Sequence, residues 1–270
     1  MKIGIIGVGV VGSANALGFK QLGHEICFHD TSLYTDIKDV LTADIVFVCV
    51  PSPENSDGSC DTSIVQSVIE QLDQKRYEGI VAIRSTVEPG FTQSMIDLYP
   101  ELTVCFVPEF LRERCAVDDF INNHQLLAVG TNDNWVYTKI VEAHGDFPKK
   151  TRQLKPAEAE ILKYYSNVFA ALKVTFANIM FELSKTMGCD YSSIKESFVD
   201  TGKADSSYLD VNHNLRGFGG VCLPKDTHAL AELLDRLGYK FDLIHAILND
   251  NSRYETTVFN GMRDNSVDSE

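Results

Sequence analysis

The sequence predicts an α/β chain: a doubly wound parallel sheet, followed by an all-helical domain built on one long helix. Three observations predict it. Short apolar runs alternate with helix-compatible segments up to residue 150, and the glycine pattern GVGVVG follows directly on the first run. From Pro156 to Met187 the chain has no further Gly or Pro, and its apolar residues recur at three and four. Alternation of strand and helix builds parallel sheets with crossover helices, and a three–four period marks an amphipathic helix.

The elements follow in order. KIGIIG (2–7) is the first strand, GVGVVG opens a helix running to about Leu22, and HEICFHD is a second strand ending in Asp30. DIVFVCV (44–50), GIVAIRS (79–85), LTVCFV (102–107) and QLLAVG (125–130) are the remaining expected strands, separated by helical stretches such as SIVQSVIEQLDQ (63–74). The sheet domain is expected over 1–150, the helical domain over 151–254 and a polar tail over 255–270. The long helix carries Ile161, Tyr165, Val168, Leu172, Phe176, Ile179 and Leu183 at helical spacing and ends at Gly188. At 1.5 Å per residue it spans about 45 Å, a length that suits a homodimer interface.

Bulk properties narrow the function. The chain is 44% hydrophobic, enough for a sizeable core, and has no apolar run of about 18 residues, so no membrane span is expected. A net charge of −14 without a basic tract makes nucleic acid and anionic membrane poor partners. The seven cysteines are odd in number and none are spaced C-x-x-C, which argues against a disulfide framework and a zinc site and for a reducing cytoplasm. The seven histidines form no metal-like cluster, so no metal is expected.

GVGVVG supplies Gly7, Gly9 and Gly12, with Val10 and Val11 opening the helix. In a strand–turn–helix context this is the dinucleotide fingerprint of a Rossmann-type fold. The first glycine permits the tight turn, the second lets backbone approach a pyrophosphate, and the third lets helix and strand pack closely. The helix N-terminus then offers N–H donors to phosphate. Asp30, 18 residues after Gly12, is placed to accept from ribose hydroxyls, which points to NAD over NADP. The alternative is a glycine turn that serves packing alone.

Lys163 and Asn167 are four apart and share one face of the long helix. A lysine with an amide one turn away suits stabilising an alkoxide and binding a sugar hydroxyl, and burial would help it exchange a proton. Taken alone, the pair reads first as solvated surface, because most such pairs on helices are exposed.

The stretch GFGGVCLPKD (217–226) gives the pair its context. Together with VCVPSPENSDGSCD (48–61), RSTVEPG (84–90), VPEFLRERCAVDDF (107–120) and AEAEILKYYSNVFAALKVTFAN (157–178), in that order, it resembles the UDP-glucose and GDP-mannose dehydrogenase family. The resemblance implies oxidation of a nucleotide-sugar C6 alcohol to the carboxylate with two NAD, through a cysteine thiohemiacetal and thioester, with UDP-glucose the first substrate to expect. It implies that Cys222 is the nucleophile, that Lys225 favours its thiolate and touches anionic ligand groups, and that Asp226 supports proton transfer. Lys163 would stabilise the oxyanion beside Asn167, Thr86 would hold the hydrolytic water, and Glu109 would act with that water as base. Val50, Pro51, Ser85, Thr86, Glu113 and Lys225 fall on the cofactor side. Backbone at Phe110, Leu111 and Arg112, with Glu113, Phe218 and Gly219, falls on the substrate side. Asp226 also reads as the N-cap of a helix beginning THALAELLDRLG, and His228 as helical surface. The other six cysteines read as buried fillers, most clearly Cys27, Cys49 and Cys105 in apolar strands.

Three departures from the family accompany the resemblance. The chain stops soon after FDLIHAILNDNSRYE, where a third, nucleotide-holding domain is expected. Only 13 residues separate Asp30 from Asp44, shorter than the usual insert. The stretch DSSYLDVNHNLRGFGG departs from the usual arginine- and tyrosine-containing segment, and Arg84 replaces a common lysine without evident effect. Two other readings therefore stand beside the first. One is a two-electron dehydrogenase of the 6-phosphogluconate and β-hydroxyacid group. The other is an NAD-binding subunit of a split enzyme, whose nucleotide-binding domain is a separate chain.

Overall fold

The computed structural model describes residues 1–256; most of the tail expected over 255–270 lies outside them. Two compact units emerge among the described residues: 1–53 with 60–163, and 54–59 with 164–256.

The first unit is built on seven strands among the described residues: β1 (Lys2–Ile6), β2 (Glu25–His29), β3 (Ile45–Val48), β4 (Ile80–Ile83), β5 (Thr103–Phe106), β6 (Leu127–Gly130) and β7 (Thr151–Leu154). They form one sheet in the order β2-β1-β3-β4-β5-β6-β7, parallel except for the β5–β6 pair. The expected parallel sheet therefore holds with one antiparallel step. β7, with sequence TRQL, joins β6 in parallel register and completes the sheet beyond residue 150. It offers neither an apolar run nor alternation, so the pattern did not reveal it.

Alternate residues of the central strands feed two separate cores. Ile45, Phe47, Ile80, Ala82 and Cys105 face one side, with Phe19, Phe120, Val136 and Ile140 from the covering helices α1 (Val10–Gln21), α4 (Ala116–Ile121) and α5 (Asn134–His144). Val46, Val48, Val81, Ile83, Val104 and Phe106 face the other, with Val65, Ile69, Leu72 and Met95 from α2 (Ser63–Gln74) and α3 (Phe91–Leu98). A period of two with helices on both faces is the doubly wound arrangement. The chain moves outward one way from β1 to β2 and the other way from β3, which puts the topological switch point between β1 and β3. The short 30–44 connection holds two 3₁₀ turns, Thr31–Leu33 and Ile37–Val40, the second burying Ile37 and Val40.

α6 (Pro156–Thr186) matches the expected long helix. The side it buries was not legible. Small and polar residues, among them Ala159, Ala170, Ala171, Thr175 and Ala177, are buried, while Ile161, Tyr165, Phe169, Phe176, Ile179 and Leu183 are each about half exposed or more. The second unit adds α7 (Tyr191–Asp200), α8 (Cys222–Arg236) and α9 (Asp242–Asn251). One of its cores joins Ala171, Phe218 and Ile247, and another joins Ala177, Tyr191, Leu209 and Val211. No helix among the described residues is long and apolar enough to cross a membrane.

Candidate active site

At the switch point, β1 runs into Gly7, whose φ of +90° is open to glycine and strained for other residues. A Cβ there would lie 2.7 Å from the Cys49 carbonyl oxygen, and one at Gly12 would lie 2.0 Å from the Gly7 carbonyl oxygen. Close backbone approach thus makes both glycines necessary. At Gly9 a Cβ would meet nothing within 4 Å. Gly9 is also the N-cap of α1, with no side-chain cap and no acidic residue in the first turn. The N–H donors that open α1, at Val10 and Val11, therefore have no carboxylate competing for them. Asp30 closes the loop: its Oδ2 accepts from Val8 N at 2.7 Å, and its Oδ1 accepts from Ser32 N and Oγ. The Ser32 side chain first, then the Val8 N–H, hold Asp30 below the usual carboxylate range. Open space above a glycine, uncapped helix donors and an ionised aspartate at the end of β2 fit a dinucleotide pyrophosphate and ribose. Beside this loop, Val50 O accepts from the buried Ser85 Oγ at 2.7 Å, Pro51 is exposed, and half-buried Thr86 accepts the Cys60 thiol on its carbonyl.

The first unit gathers a second group around Glu109, which is 8% exposed. Its Oε1 accepts from the backbone N–H groups of Phe110 and Leu111, and its Oε2 accepts from Arg84 at 2.9 Å and from Asn15 at 3.4 Å. Lys163, itself buried on α6, donates from Nζ to the Glu109 carbonyl oxygen at 2.6 Å and lies 5.7 Å from the Phe110 ring centroid. The expected Lys163, Glu109 and Phe110 are thus brought together. Arg84, read as an inconsequential replacement, proves to be the buried counter-charge of Glu109. Its guanidinium lies over the Phe47 and Phe120 rings and also donates to His144 Nε2. His144 bonds the Ile140 carbonyl through Nδ1, and burial first, then Arg84, push its pKa well below the usual value, so it is a neutral acceptor. A signal for Arg84 was present: an arginine closing the apolar run IVAI must find a counter-ion. The same loop continues through Arg112, whose guanidinium and N–H all bond Asp119, and Glu113, exposed at the head of a 3₁₀ turn.

In the second unit, α8 begins at Cys222 and not at Thr227. Asp226 is therefore no N-cap: it sits one turn inside the helix, fully buried. Pro224 is tolerated because it falls in the first turn, where its missing N–H has no partner to lose. Asp226 Oδ2 accepts from Asn167 Nδ2 at 2.5 Å, and Oδ1 accepts from Lys225 Nζ at 2.6 Å. Asn167, Lys225 and Asp226 thus form one polar cluster beneath the exposed Cys222 at the helix head. Phe218 is buried, while Gly219 is packed where a Cβ would come 2.9 Å from Thr256. His228 faces Glu54 at 3.1 Å rather than solvent alone. Among the other cysteines, burial pushes the Cys105 and Cys49 thiols up to about 12, as inert fillers require, whereas Cys189, expected as a buried filler, is exposed just past the end of α6. No group of three or more metal-ligating side chains occurs among the described residues.

Comparison with known proteins gives these groups a context. The NAD-binding domain model of the UDP-glucose/GDP-mannose dehydrogenase family matches residues 29–144, and the central-domain model of the same family matches residues 157–253. The chain is 28% identical to a UDP-glucose 6-dehydrogenase of Haloferax volcanii, over 93% of this chain and 69% of that protein. It is 26% identical to a GDP-mannose 6-dehydrogenase of Pseudomonas aeruginosa, over 96% of this chain and 70% of that protein. A solved UDP-glucose dehydrogenase of Pyrobaculum islandicum superposes with a TM-score of 0.83 at 26% identity, covering 93% of this chain and 68% of that one. The chain spans about two thirds of the length of these relatives.

Proposed function

The chain belongs to the UDP-glucose/GDP-mannose dehydrogenase family, carrying its NAD-binding and central domains, and from that premise we propose that it oxidises the C6 alcohol of a nucleotide sugar to the carboxylate, with UDP-glucose the leading substrate. The observation that carries the reading is the head of α8, where an exposed thiol stands one turn above a buried carboxylate bonded by Asn167 and Lys225.

The residues divide the work as follows. Gly7, Gly9, Gly12 and the opening of α1 hold the pyrophosphate of NAD, and Asp30 Oδ2 keeps a lone pair for a ribose hydroxyl. Bound NAD supplies the hydride acceptor for each of the two oxidations. Lys163 stabilises the alkoxide as the proton of the C6 hydroxyl leaves, exchanging its carbonyl contact for the substrate oxygen, and the hydrogen on C6 leaves as hydride. The Cys222 thiolate adds to the aldehyde carbon, and the carbonyl oxygen takes a proton to give a thiohemiacetal, so the aldehyde stays bound. Asp226, held by Asn167 and Lys225, supports proton transfer at the thiol. The second oxidation leaves a thioester on Cys222. Glu109 draws a proton from water held by Thr86, the C–S bond breaks, and the carboxylate and thiol are released. Glu113, Gly219 and the backbone at Phe110–Arg112 are the groups assigned to the substrate side, while Phe218, buried and bonded at both backbone groups by Asn251, serves to place the loop.

The exposed apolar face of α6 supports a homodimer through that helix, and the thiol chemistry suits a reducing cytoplasm. NADH formation with UDP-glucose, UDP-N-acetyl sugars and GDP-mannose tests the reading. Two NADH per sugar, lost in Cys222→Ala, is the expected result. One NADH per substrate with an active Cys222→Ala variant, or no turnover with any such sugar, overturns it.

A further inference from the structure

We propose that Asn251, the last residue of α9, is a positioning residue that sets the path of the loop delivering the Cys222 thiol. The proposal rests on the reading of Cys222 as the nucleophile and adds to it a residue that touches neither substrate nor cofactor.

The loop Arg216–Val221 enters α8 through two glycines, Gly219 and Gly220, the latter at a φ of +76°. A glycine pair gives the chain little conformational preference of its own. The position of the thiol therefore depends on where the chain is fixed just before the pair, and that point is Phe218. Its side chain is 3% exposed and packs with Ala171, Ile247 and Leu223. Both of its backbone groups bond one side chain: Phe218 N donates to Asn251 Oδ1 at 2.8 Å, and Asn251 Nδ2 donates to Phe218 O at 2.9 Å. A primary amide presents a donor and an acceptor side by side, so it can pair with a residue's N–H and C=O as a neighbouring strand would. Asp, with the same shape, cannot.

The neighbouring contacts are cut to this pairing. A Cβ at Gly217 would stand 3.1 Å from Asn251 Oδ1, and one at Gly219 would stand 2.9 Å from Thr256 Cβ. Gly217 N donates to Glu255 O, and Gly217 and Thr256 form an isolated parallel bridge. The need for glycine at 217 and 219 is thus already met by the segment after α9. Upstream, Arg216 is fixed by Asn178, which bonds both its Nε and its carbonyl, and lies 4.4 Å from the Tyr254 ring centroid. Among the described contacts, the two bonds of Asn251 are the last polar restraints on the backbone before Gly219.

Asn251→Ala and Asn251→Asp, each in the full chain, test this. Amide hydrogen exchange at Phe218–Cys222 is expected to quicken by at least about ten-fold in both, with α6 and the sheet unchanged. With the nucleotide sugar that wild type turns over, kcat is expected to fall at least about ten-fold at an unchanged KM for NAD. If the Asp variant keeps wild-type exchange and kcat, side-chain shape alone fixes the loop and the proposal fails. If exchange quickens in both variants while kcat holds, Phe218 is anchored but does not place the thiol, and the proposal again fails. Should wild type turn over no nucleotide sugar, the enzymatic reading falls separately. Exchange, together with alkylation of Cys222 measured against exposed Cys189, then decides the positioning claim: unchanged exchange or an unchanged Cys222:Cys189 ratio overturns it.

Discussion

Replacing Arg84 with Met removes one half of an ion pair whose side chains are 0% and 9% exposed. Glu109 is left as a buried carboxylate with two backbone N–H bonds and one long contact from Asn15, while His144 Nε2 loses its donor. Removing one partner of a buried pair costs about 3–5 kcal/mol. The backbone bonds that remain on Oε1 place this case near about 3 kcal/mol, since the bonds to Oε2 are the ones lost or long. The Met stem still packs between Phe47 and Phe120, so loss of volume adds little. Trp135, the sole tryptophan, lies on α5 and reports unfolding of the first unit by fluorescence. With a slope of about 2 kcal/mol per M, the urea midpoint drops by roughly 1.5 M. Arg84→Met with Glu109→Gln leaves no orphaned charge, so the double variant is expected to regain at least about 1.5 kcal/mol relative to the sum of the single losses. A loss below about 1 kcal/mol in Arg84→Met, or additive single and double losses, would refute the buried-pair argument.

Gly9→Ala is expected to keep wild-type stability, because its Cβ enters open space, yet to weaken NAD binding at least about ten-fold by calorimetry, because that space is the one proposed for the pyrophosphate. Glu160 is fully buried and caps the start of α3 through Gly90 N and Thr92 N, and burial holds its carboxyl above the usual range. The folded state therefore holds this proton more tightly than the unfolded one. Its contribution is complete below the ordinary carboxylate pKa and is lost as pH rises through the raised folded value. Glu160→Gln does not titrate, so the stability advantage of wild type over it should shrink as pH rises through that window; denaturation over a pH series that shows the advantage growing would contradict this. On α6, Tyr165→Glu with Phe176→Glu places charges on the exposed apolar face and is expected to turn the proposed homodimer into monomers by sedimentation. Persistence of the dimer would move the interface elsewhere.

What the sequence revealed follows the range of the forces involved. Gly7, Gly9 and Gly12 were legible because their spacing marks a local turn: the positive φ of Gly7 and the close approach of Gly12 to Gly7 lie within a few residues of one another. The span of α6 was legible from its period, but its inward face was not. Periodicity groups large apolar residues on one side without saying whether the chain's own core or another surface covers them. β7 was invisible because TRQL borrows its strand state from β6. The start of α8 falls at Cys222, more than a turn ahead of the expected Thr227, and Pro224 does not prevent it, because a proline early in a helix is compatible with it. Arg84 and Asn251 act across 25 and 33 residues of chain, on Glu109 and Phe218. Only the first betrayed itself, as a charge set against a hydrophobic run.

In the proposed oxidation, the contact between Lys163 and the Glu109 carbonyl bears on the rate. An ammonium resting on a carboxylate would have to break a full charge attraction before serving a new anion. Resting on a neutral peptide oxygen, it stays dehydrated and aimed, and it surrenders only a dipole when an alkoxide forms nearby. The resting state thus stores the cation in a low-commitment berth, and the switch to a charged acceptor runs downhill.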